Sequence, residues 1–190
     1  MKKNILLGLT IVSLLLSSAS IQAQNAPFGT EEDVNYSKTL WAVMIESNLA
    51  GDNAIRTIPY EGVDPHGKML ETFFTNATID GHKGSLVIKR NFGPEGVEAN
   101  DILADPDKYL GAITVMFQRE KGYDEENQNW FWAKYLPNGS LDKNAKGVQL
   151  AGRVAKGAEQ GCIACHTNAP GEDFLFTADA LSTSPISMMK

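Results

Sequence analysis

The chain has 190 residues and carries 17 basic and 23 acidic side chains, which gives a formal net charge of −6. This length predicts a single domain. An acidic chain is a poor fit to nucleic acid or to an anionic membrane surface, whereas it can dock to a basic protein or simply remain soluble.

Residues 1–23 have the pattern of a secretory signal peptide. Two lysines precede an apolar run over residues 5–16, and small residues lead to a plausible cleavage site at Ala23. The run is too short to span a bilayer, so we expect no membrane span there. Cleavage would remove two lysines and no acidic residue, which moves the formal charge from −6 to −8. We therefore expect residues 24–190 to form the mature domain.

An amphipathic helix is predicted over residues 31–49. Thr30 and Asp33 have the spacing of a capping box, in which each side chain bonds the backbone N–H of the other residue. Gly51 is a suitable residue to follow the end of the helix. The apolar residues that recur at helical spacing are Leu40, Trp41, Met44, Ile45 and Leu49. This stripe is expected to pack against the core.

The rest of the chain is dominated by predicted strands, which alternate in polarity or are rich in β-branched and aromatic residues. The strands are predicted over residues 69–79, 85–90, 111–119 and 130–136. A turn over residues 80–84 would join the first two as a hairpin. Residues 91–108 are expected to be a long loop, and residues 151–160 a short helix. The fold class is therefore α+β, a mainly antiparallel sheet with an early amphipathic helix and a short helix before the C-terminal motif described next.

Cys162, Cys165 and His166 form a C-x-x-C-H sequence, which is the attachment pattern of a c-type haem. The spacing lets both thiols reach neighbouring vinyl groups of one porphyrin, where each adds to form a thioether. His166 can then give its imidazole nitrogen to the iron. The chain has two cysteines in all, so none remains for a disulfide. We predict one covalent haem c per chain, held by the two cysteines, with His166 as the iron ligand.

Two other kinds of site use a C-x-x-C pair. A dithiol redox pair would occur early, in a βαβ pattern, whereas this pair follows a run of predicted strands. A zinc site would need further ligands from His66, His82 or a carboxylate, and these have no recognisable spacing. Because bacterial c-type haem is attached outside the cytoplasm, the motif and the signal peptide together predict a periplasmic protein.

With these segments assembled, the chain resembles the cytochrome P-460 family, including the related cytochromes c′-beta, from about Leu40 to Thr177. The motifs that carry the resemblance are, in chain order, Pro65-His66-Gly67, Gly84-Ser85-Leu86-Val87-Ile88-Lys89, Met116-Phe117, Gly122-Tyr123-Asp124, Asn129-Trp130-Phe131-Trp132, the C-x-x-C-H sequence and Asp173-Phe174-Leu175-Phe176-Thr177. The resemblance implies a mainly antiparallel sheet with flanking helices and a homodimer. It also implies a haem with histidine on one side and an open distal site.

Two activities are implied by this resemblance. Proteins of the P-460 kind oxidise hydroxylamine, with nitric oxide chemistry at the iron, and their haem is cross-linked to a lysine. Proteins of the c′-beta kind lack the cross-link and bind nitric oxide or carbon monoxide. Lys89 matches the position of the cross-linking lysine, and strand alternation places it on the same face as Val87. The alternative for Lys89 is a solvated lysine at the end of a strand.

The chain departs from the family in one respect. The enzymes are expected to hold a distal carboxylate for proton transfer on the strand before the tryptophan-rich one, but residues 109–118 contain no Asp or Glu. A positioned base typically contributes about 10²–10⁴-fold to such a reaction. Either another group such as Glu71 or Glu98 serves, or the protein binds gas without this turnover.

Several other side chains are candidates for the distal side of the haem. The candidates for lining a distal pocket are Phe73, Phe74 and Phe92. His82 and Met116 are alternatives for a sixth ligand, although turn histidines are mostly solvated and strand methionines mostly packed. For His66 we expect a structural hydrogen bond rather than ligation.

Three functions remain open at this point. The first is an oxidoreductase acting on hydroxylamine or nitric oxide, with electrons passing to a redox partner protein. The second is a non-catalytic protein that binds nitric oxide or carbon monoxide. The third is a plain periplasmic electron carrier. The coordination and cross-linking of the haem would distinguish them.

Overall fold

Consecutive strands pair with one another to form one six-stranded antiparallel sheet, in the order β1 to β6. The computed structural model describes residues 27–171 and 173–176, so the predicted signal peptide lies outside the described residues. The strands are β1 (Tyr60–Glu61), β2 (Met69–Ile79), β3 (His82–Phe92), β4 (Leu110–Gln118), β5 (Trp130–Tyr135) and β6 (Ala151–Gly152). Together with the helices, this arrangement confirms the predicted α+β class.

The early helix, α1, spans Glu31–Glu46 and begins with the predicted capping box. The backbone N–H of Asp33 donates to Oγ1 of Thr30 at 3.1 Å, and the carboxylate of Asp33 accepts from the backbone N–H of Thr30 at 3.1 Å. Leu40 and Met44 are fully buried on the side that meets the sheet. The helix ends slightly earlier than its apolar pattern predicts, with Ser47 as its C-cap.

Strands β2 and β3 form the predicted hairpin through a tight turn at Asp80 and Gly81. Both residues have positive φ, 49° and 82°, as a two-residue turn of type I′ requires. Ile79 pairs directly with His82, so β3 begins earlier than the predicted strand over residues 85–90. These two strands pair along their whole length.

The two faces of the sheet have different partners, because side chains alternate along each strand. One face packs beneath α1 and contributes Leu86, Ile88, Ile113, Val115, Phe117, Phe131 and Tyr135 to the larger core. The opposite face contributes Val87, Met116, Trp130 and Trp132 to a second, smaller core with Ile163 and Phe174. The C-x-x-C-H motif is therefore packed on the face of the sheet that α1 does not cover.

Two of the predicted segments are wrong. Residues 91–108 are not one long loop, because they contain the short helices α2 (Ala99–Ala104) and α3 (Pro106–Tyr109). Residues 151–160 are not a helix, because they begin as β6 and continue as turns. Gly152 has φ of 101° and pairs with Trp132, and this left-handed conformation does not allow a helix. The C-terminal helix α4, Cys162–His166, is instead formed by the motif itself.

Among residues 27–171 and 173–176, no helix combines the length and the apolar character that a membrane span requires.

Candidate functional site

A cavity of about 490 Å³ lies between the motif and the uncovered face of the sheet. Its volume is within the range of about 300–1,000 Å³ that is usual for ligand and cofactor pockets. All four side chains singled out from the sequence line it: Lys89, Cys162, Cys165 and His166. The structure thus brings together residues from β3 and from α4 that are far apart in the chain.

His166 is held in one orientation by a hydrogen bond. Its Nδ1 lies 2.7 Å from the carbonyl oxygen of Phe174, and a carbonyl can only accept, so Nδ1 carries the proton. The lone pair therefore belongs to Nε2, as in metal-ligating histidines whose other nitrogen is anchored. Burial lowers the pKa of His166, which favours the neutral ring that a metal requires. The rings of Trp132 and Phe176 pack against the imidazole, with centroids 4.8 and 5.3 Å away.

The two cysteines of the motif are free thiols on α4. Cys162 is half-buried, and burial raises the pKa of its thiol. Cys165 is exposed, yet it lines the same cavity. Ile163 between them is buried in the smaller core, so one side of the helix is packed while both cysteines line the cavity. This is the arrangement that two thioether bonds to a single porphyrin would need.

Lys89 belongs to the part of the cavity formed by the sheet. It is half-buried and pairs with Thr72 on β2 and with Thr114 on β4. Val87 lines the cavity as well, as strand alternation predicts. Lys89 does not lie at the end of its strand, because β3 continues to Phe92.

An unsatisfied donor in the cavity provides a test of whether haem fits. Trp132 is 3% exposed, and its Nε1 is buried without an acceptor among the described residues. Such a group typically costs about 1–3 kcal/mol, so a bound molecule with an acceptor would stabilise the site. The mostly apolar lining suits a porphyrin ring, and a haem carboxylate could accept from Nε1. The residues present therefore fit a haem.

His66 lies in the loop before β2 and also lines the cavity. Its Nδ1 is 3.1 Å from Oδ1 of Asn91 and 3.4 Å from Oγ1 of Thr114, so the expected structural hydrogen bond is present. Burial, with a further contribution from the charge of Lys89, lowers the pKa of His66 to about 4. Sequence reasoning missed its place beside His166, since no spacing motif links a loop histidine to the C-x-x-C-H sequence.

The two carboxylates considered as replacements for the missing distal acid do not line the cavity. Glu71 is completely buried on the α1 side of the sheet, where it binds Arg56 at 2.5 Å and Arg90 at 3.1 Å. Glu98 caps α2 at the surface. Among the described residues, the acidic side chain that does line the cavity is Glu159, an exposed residue before the motif. The sequence offered no signal for it.

Of the other side chains considered for the distal side of the haem, one lines the cavity and four do not. Met116 lines the cavity, whereas Nε2 of His82 bonds the carbonyl oxygen of Gln118 at 3.1 Å and lies elsewhere. None of the three phenylalanines, Phe73, Phe74 and Phe92, is among the residues that line the cavity. The described part of the chain contains no group of three or more His, Cys, Asp or Glu side chains arranged for a metal ion, so the zinc alternative gains no support.

Comparison with known proteins gives one match. The family model described as Cytochrome P460 matches residues 67–177, more than half of the chain. The matched range includes the hairpin, the uncovered face of the sheet and the whole C-x-x-C-H motif. Neither a curated protein nor a solved structure matches the chain.

Proposed function

Because the chain belongs to the cytochrome P460 family, we propose that it is an exported c-type cytochrome whose haem reacts with hydroxylamine or nitric oxide. The observation that carries this proposal is that Cys162, Cys165, His166 and Lys89 line one cavity. The bound haem would supply a redox-active iron that takes a small nitrogen ligand and exchanges electrons with an external redox partner protein.

Each residue of the cavity has a distinct role in this proposal. Cys162 and Cys165 fix the cofactor by thioether bonds, and His166 presents Nε2 to the iron while Phe174 holds its other nitrogen. Lys89 lies beside the ring, where it either forms the cross-link of the P-460 kind or remains without a bond to the haem. Val87, Met116 and Trp132 form an apolar wall that excludes water from the ring.

The remaining parts of the proposal concern the setting of the protein. The N-terminal sequence supports export through a signal peptide to the periplasm, where haem c is attached. A redox partner with a basic surface would suit the acidic mature chain. We also propose a homodimer, as the family resemblance implies, which light scattering on the purified holoprotein would test.

A second candidate function is supported by the missing carboxylate. Strand β4 has no acidic residue, and Glu71 is bound to two arginines on the other face of the sheet. A cavity without a positioned base favours binding of nitric oxide or carbon monoxide without turnover. Of the residues that the structure describes, Glu159 is the acidic side chain that lines the cavity, where it is exposed, and it is therefore the first carboxylate to test for a role in turnover.

The test is an activity and binding experiment on the holoprotein made in a host with c-type haem maturation. Under the first proposal, hydroxylamine reduces the ferric haem, and an added electron acceptor sustains turnover. Under the second, the reduced protein binds nitric oxide and carbon monoxide while hydroxylamine gives no turnover. A Glu159→Gln variant that keeps full turnover would remove that carboxylate from the mechanism. A reduced protein that ignores both gases would leave the electron carrier as the function.

A further inference from the structure

We propose that His66 is the second axial ligand of the haem iron in the resting protein, so that an external ligand binds by displacing it. This inference rests on the proposed haem binding and concerns the same cavity. It differs from the open distal site that the family resemblance implies. Three features carry it: the tautomer of His66, its position relative to His166, and the rigid support of its loop.

The tautomer of His66 follows from the hydrogen bonds of Asn91. The amide nitrogen of Asn91 donates to the carbonyl oxygens of Lys89 and Ala112, at 3.1 and 3.2 Å. These two bonds fix the orientation of the amide, and its oxygen therefore faces His66. Since that oxygen can only accept, Nδ1 of His66 carries the proton. Nε2 of His66 is left with a lone pair and has no hydrogen-bond partner among the described residues.

His66 and His166 are thus prepared in the same way. In each ring Nδ1 donates to a fixed oxygen, of Asn91 or of Phe174, and in each Nε2 is free for a metal. Such anchoring of the second nitrogen is typical of histidines that bind metals. Both histidines line one cavity, so one group bound there could take a nitrogen from each.

The separation of the two rings also fits a shared iron. Their centroids are 6.2 Å apart, and their planes are nearly perpendicular at 88°. Two metal–nitrogen bonds of about 2 Å each, together with the distance from each nitrogen to its ring centre, come to about 6 Å. A gap much smaller than this would leave no room for an iron, and a much larger one would put His66 out of reach.

The loop that carries His66 is held firmly against the sheet. At Gly67 a Cβ atom would lie only 2.5 Å from the backbone nitrogen of Phe92, so the glycine permits close contact between the loop and β3. The amide of Gly67 also approaches Oδ1 of Asn91, at 3.4 Å. Because the loop backbone packs against β3 at the residue after His66, the sheet fixes the position of His66.

The experiment compares absorption and electron paramagnetic resonance spectra of three holoproteins at neutral pH: wild type, His66→Ala and His82→Ala. His82 is the matched control, because its Nε2 is already bonded to Gln118 outside the cavity. We expect low-spin haem in the wild type and in His82→Ala, and high-spin haem in His66→Ala. Added imidazole should restore the low-spin spectrum of His66→Ala, which separates lost ligation from a damaged fold.

Covalent haem content, measured in the same samples, separates the two proposals. A protein that carries no covalent haem would overturn the proposed function together with this inference. Covalent haem that is high-spin in the wild type would overturn the ligation by His66 and leave the proposed function standing. Low-spin haem that survives in His66→Ala would also overturn it and would identify another ligand, with Met116 as the residue to replace next.

Discussion

Lys89 on β3 lies directly opposite Thr114 on β4, and both side chains line the cavity beside His166. The first prediction is that Lys89 contacts the haem and that its Nζ is bonded to a ring carbon. Such a bond replaces one N–H and one C–H hydrogen, so its formation would need a two-electron oxidant such as peroxide during haem loading. A bond would distort the macrocycle, and distortion is one of the means by which a protein changes the chemistry of its iron. Peptide mapping by mass spectrometry should therefore recover the Lys89 peptide joined to haem, and the reduced Soret band should be red-shifted relative to ordinary haem c.

The control for this prediction is Lys83, an exposed lysine on the same strand. Lys89→Ala should return the reduced spectrum to that of ordinary haem c, whereas Lys83→Ala should leave it unchanged. If the Lys89 peptide is recovered without haem, and Lys89→Ala has the wild-type spectrum, there is no cross-link. Gas binding without turnover then becomes the better function.

The second prediction concerns covalent attachment by the motif. Acidified organic solvent should leave the haem on the wild-type polypeptide, because thioether bonds survive the extraction. Cys162→Ser and Cys165→Ser should each weaken attachment, and the double variant should release all haem to the solvent. His166→Ala should keep the thioether bonds but lose the axial ligand, which the absorption spectrum reports. Free extraction of haem from the wild type would contradict the prediction.

The features that the sequence predicted well depend on residues close together in the chain. The capping box of Thr30 and Asp33, the turn that begins at Asp80, and the alternation of Val87 and Lys89 are all local patterns. Their physical causes are satisfied helix ends, positive φ in a tight turn and the pleat of a strand. For this reason the early helix, the hairpin and the cavity face of β3 could be placed from the sequence.

The features that the sequence did not reveal depend on distant contacts. Residues 151–160 have a helical composition, but pairing of Gly152 with Trp132 draws the segment into the sheet. The helices α2 and α3 are too short for apolar residues to recur at helical spacing, so the sequence gives no recognisable helical pattern there. His66 is held at the cavity by its hydrogen bond to Asn91 on β3. These two residues are far apart in the chain, so no local sequence pattern contains the pair.

The third prediction concerns stability and tests the buried charges on the α1 side of the sheet. Glu71 is fully buried and bonds the guanidinium groups of Arg56 and Arg90, and Arg90 itself is 4% exposed. Glu71→Gln would remove the charge that compensates a buried arginine, at a cost of about 3–5 kcal/mol. Denaturant unfolding of the holoprotein measures this change in the free energy of unfolding.

Glu120 provides the comparison for Glu71. It pairs with Arg119 at 2.7 Å, but its carboxylate is half-exposed, so Glu120→Gln should change the free energy of unfolding by less than about 1 kcal/mol. Equal effects of the two substitutions would contradict the assignment of Glu71 as a buried structural ion. The haem spectrum should be the same in both variants, since neither residue lines the cavity.

The fourth prediction concerns gas binding and follows from the proposed displacement of His66. If His66 is dissociated from the iron for about 1% of the time, the apparent affinity for carbon monoxide is reduced about 100-fold relative to a vacant position. His66→Ala should then bind carbon monoxide about 100-fold more tightly than the wild type. Titration of the reduced proteins measures this ratio, and equal affinities would argue against displacement.

The order of the strands bears on how the cavity can be assembled. Strands that are neighbours in the sheet are also neighbours in the chain. Each pairing therefore closes a loop between consecutive strands, which costs less conformational entropy than a longer one. Such local contacts are typical of rapid folding. Strands β2 to β5, which carry Lys89, Met116 and Trp132, all precede the motif in the chain. The sheet can therefore form while α4 is still extended, which would leave both thiols accessible to the enzymes that attach haem. The late position of the motif would thus separate the folding of the scaffold from the proposed covalent attachment of the cofactor.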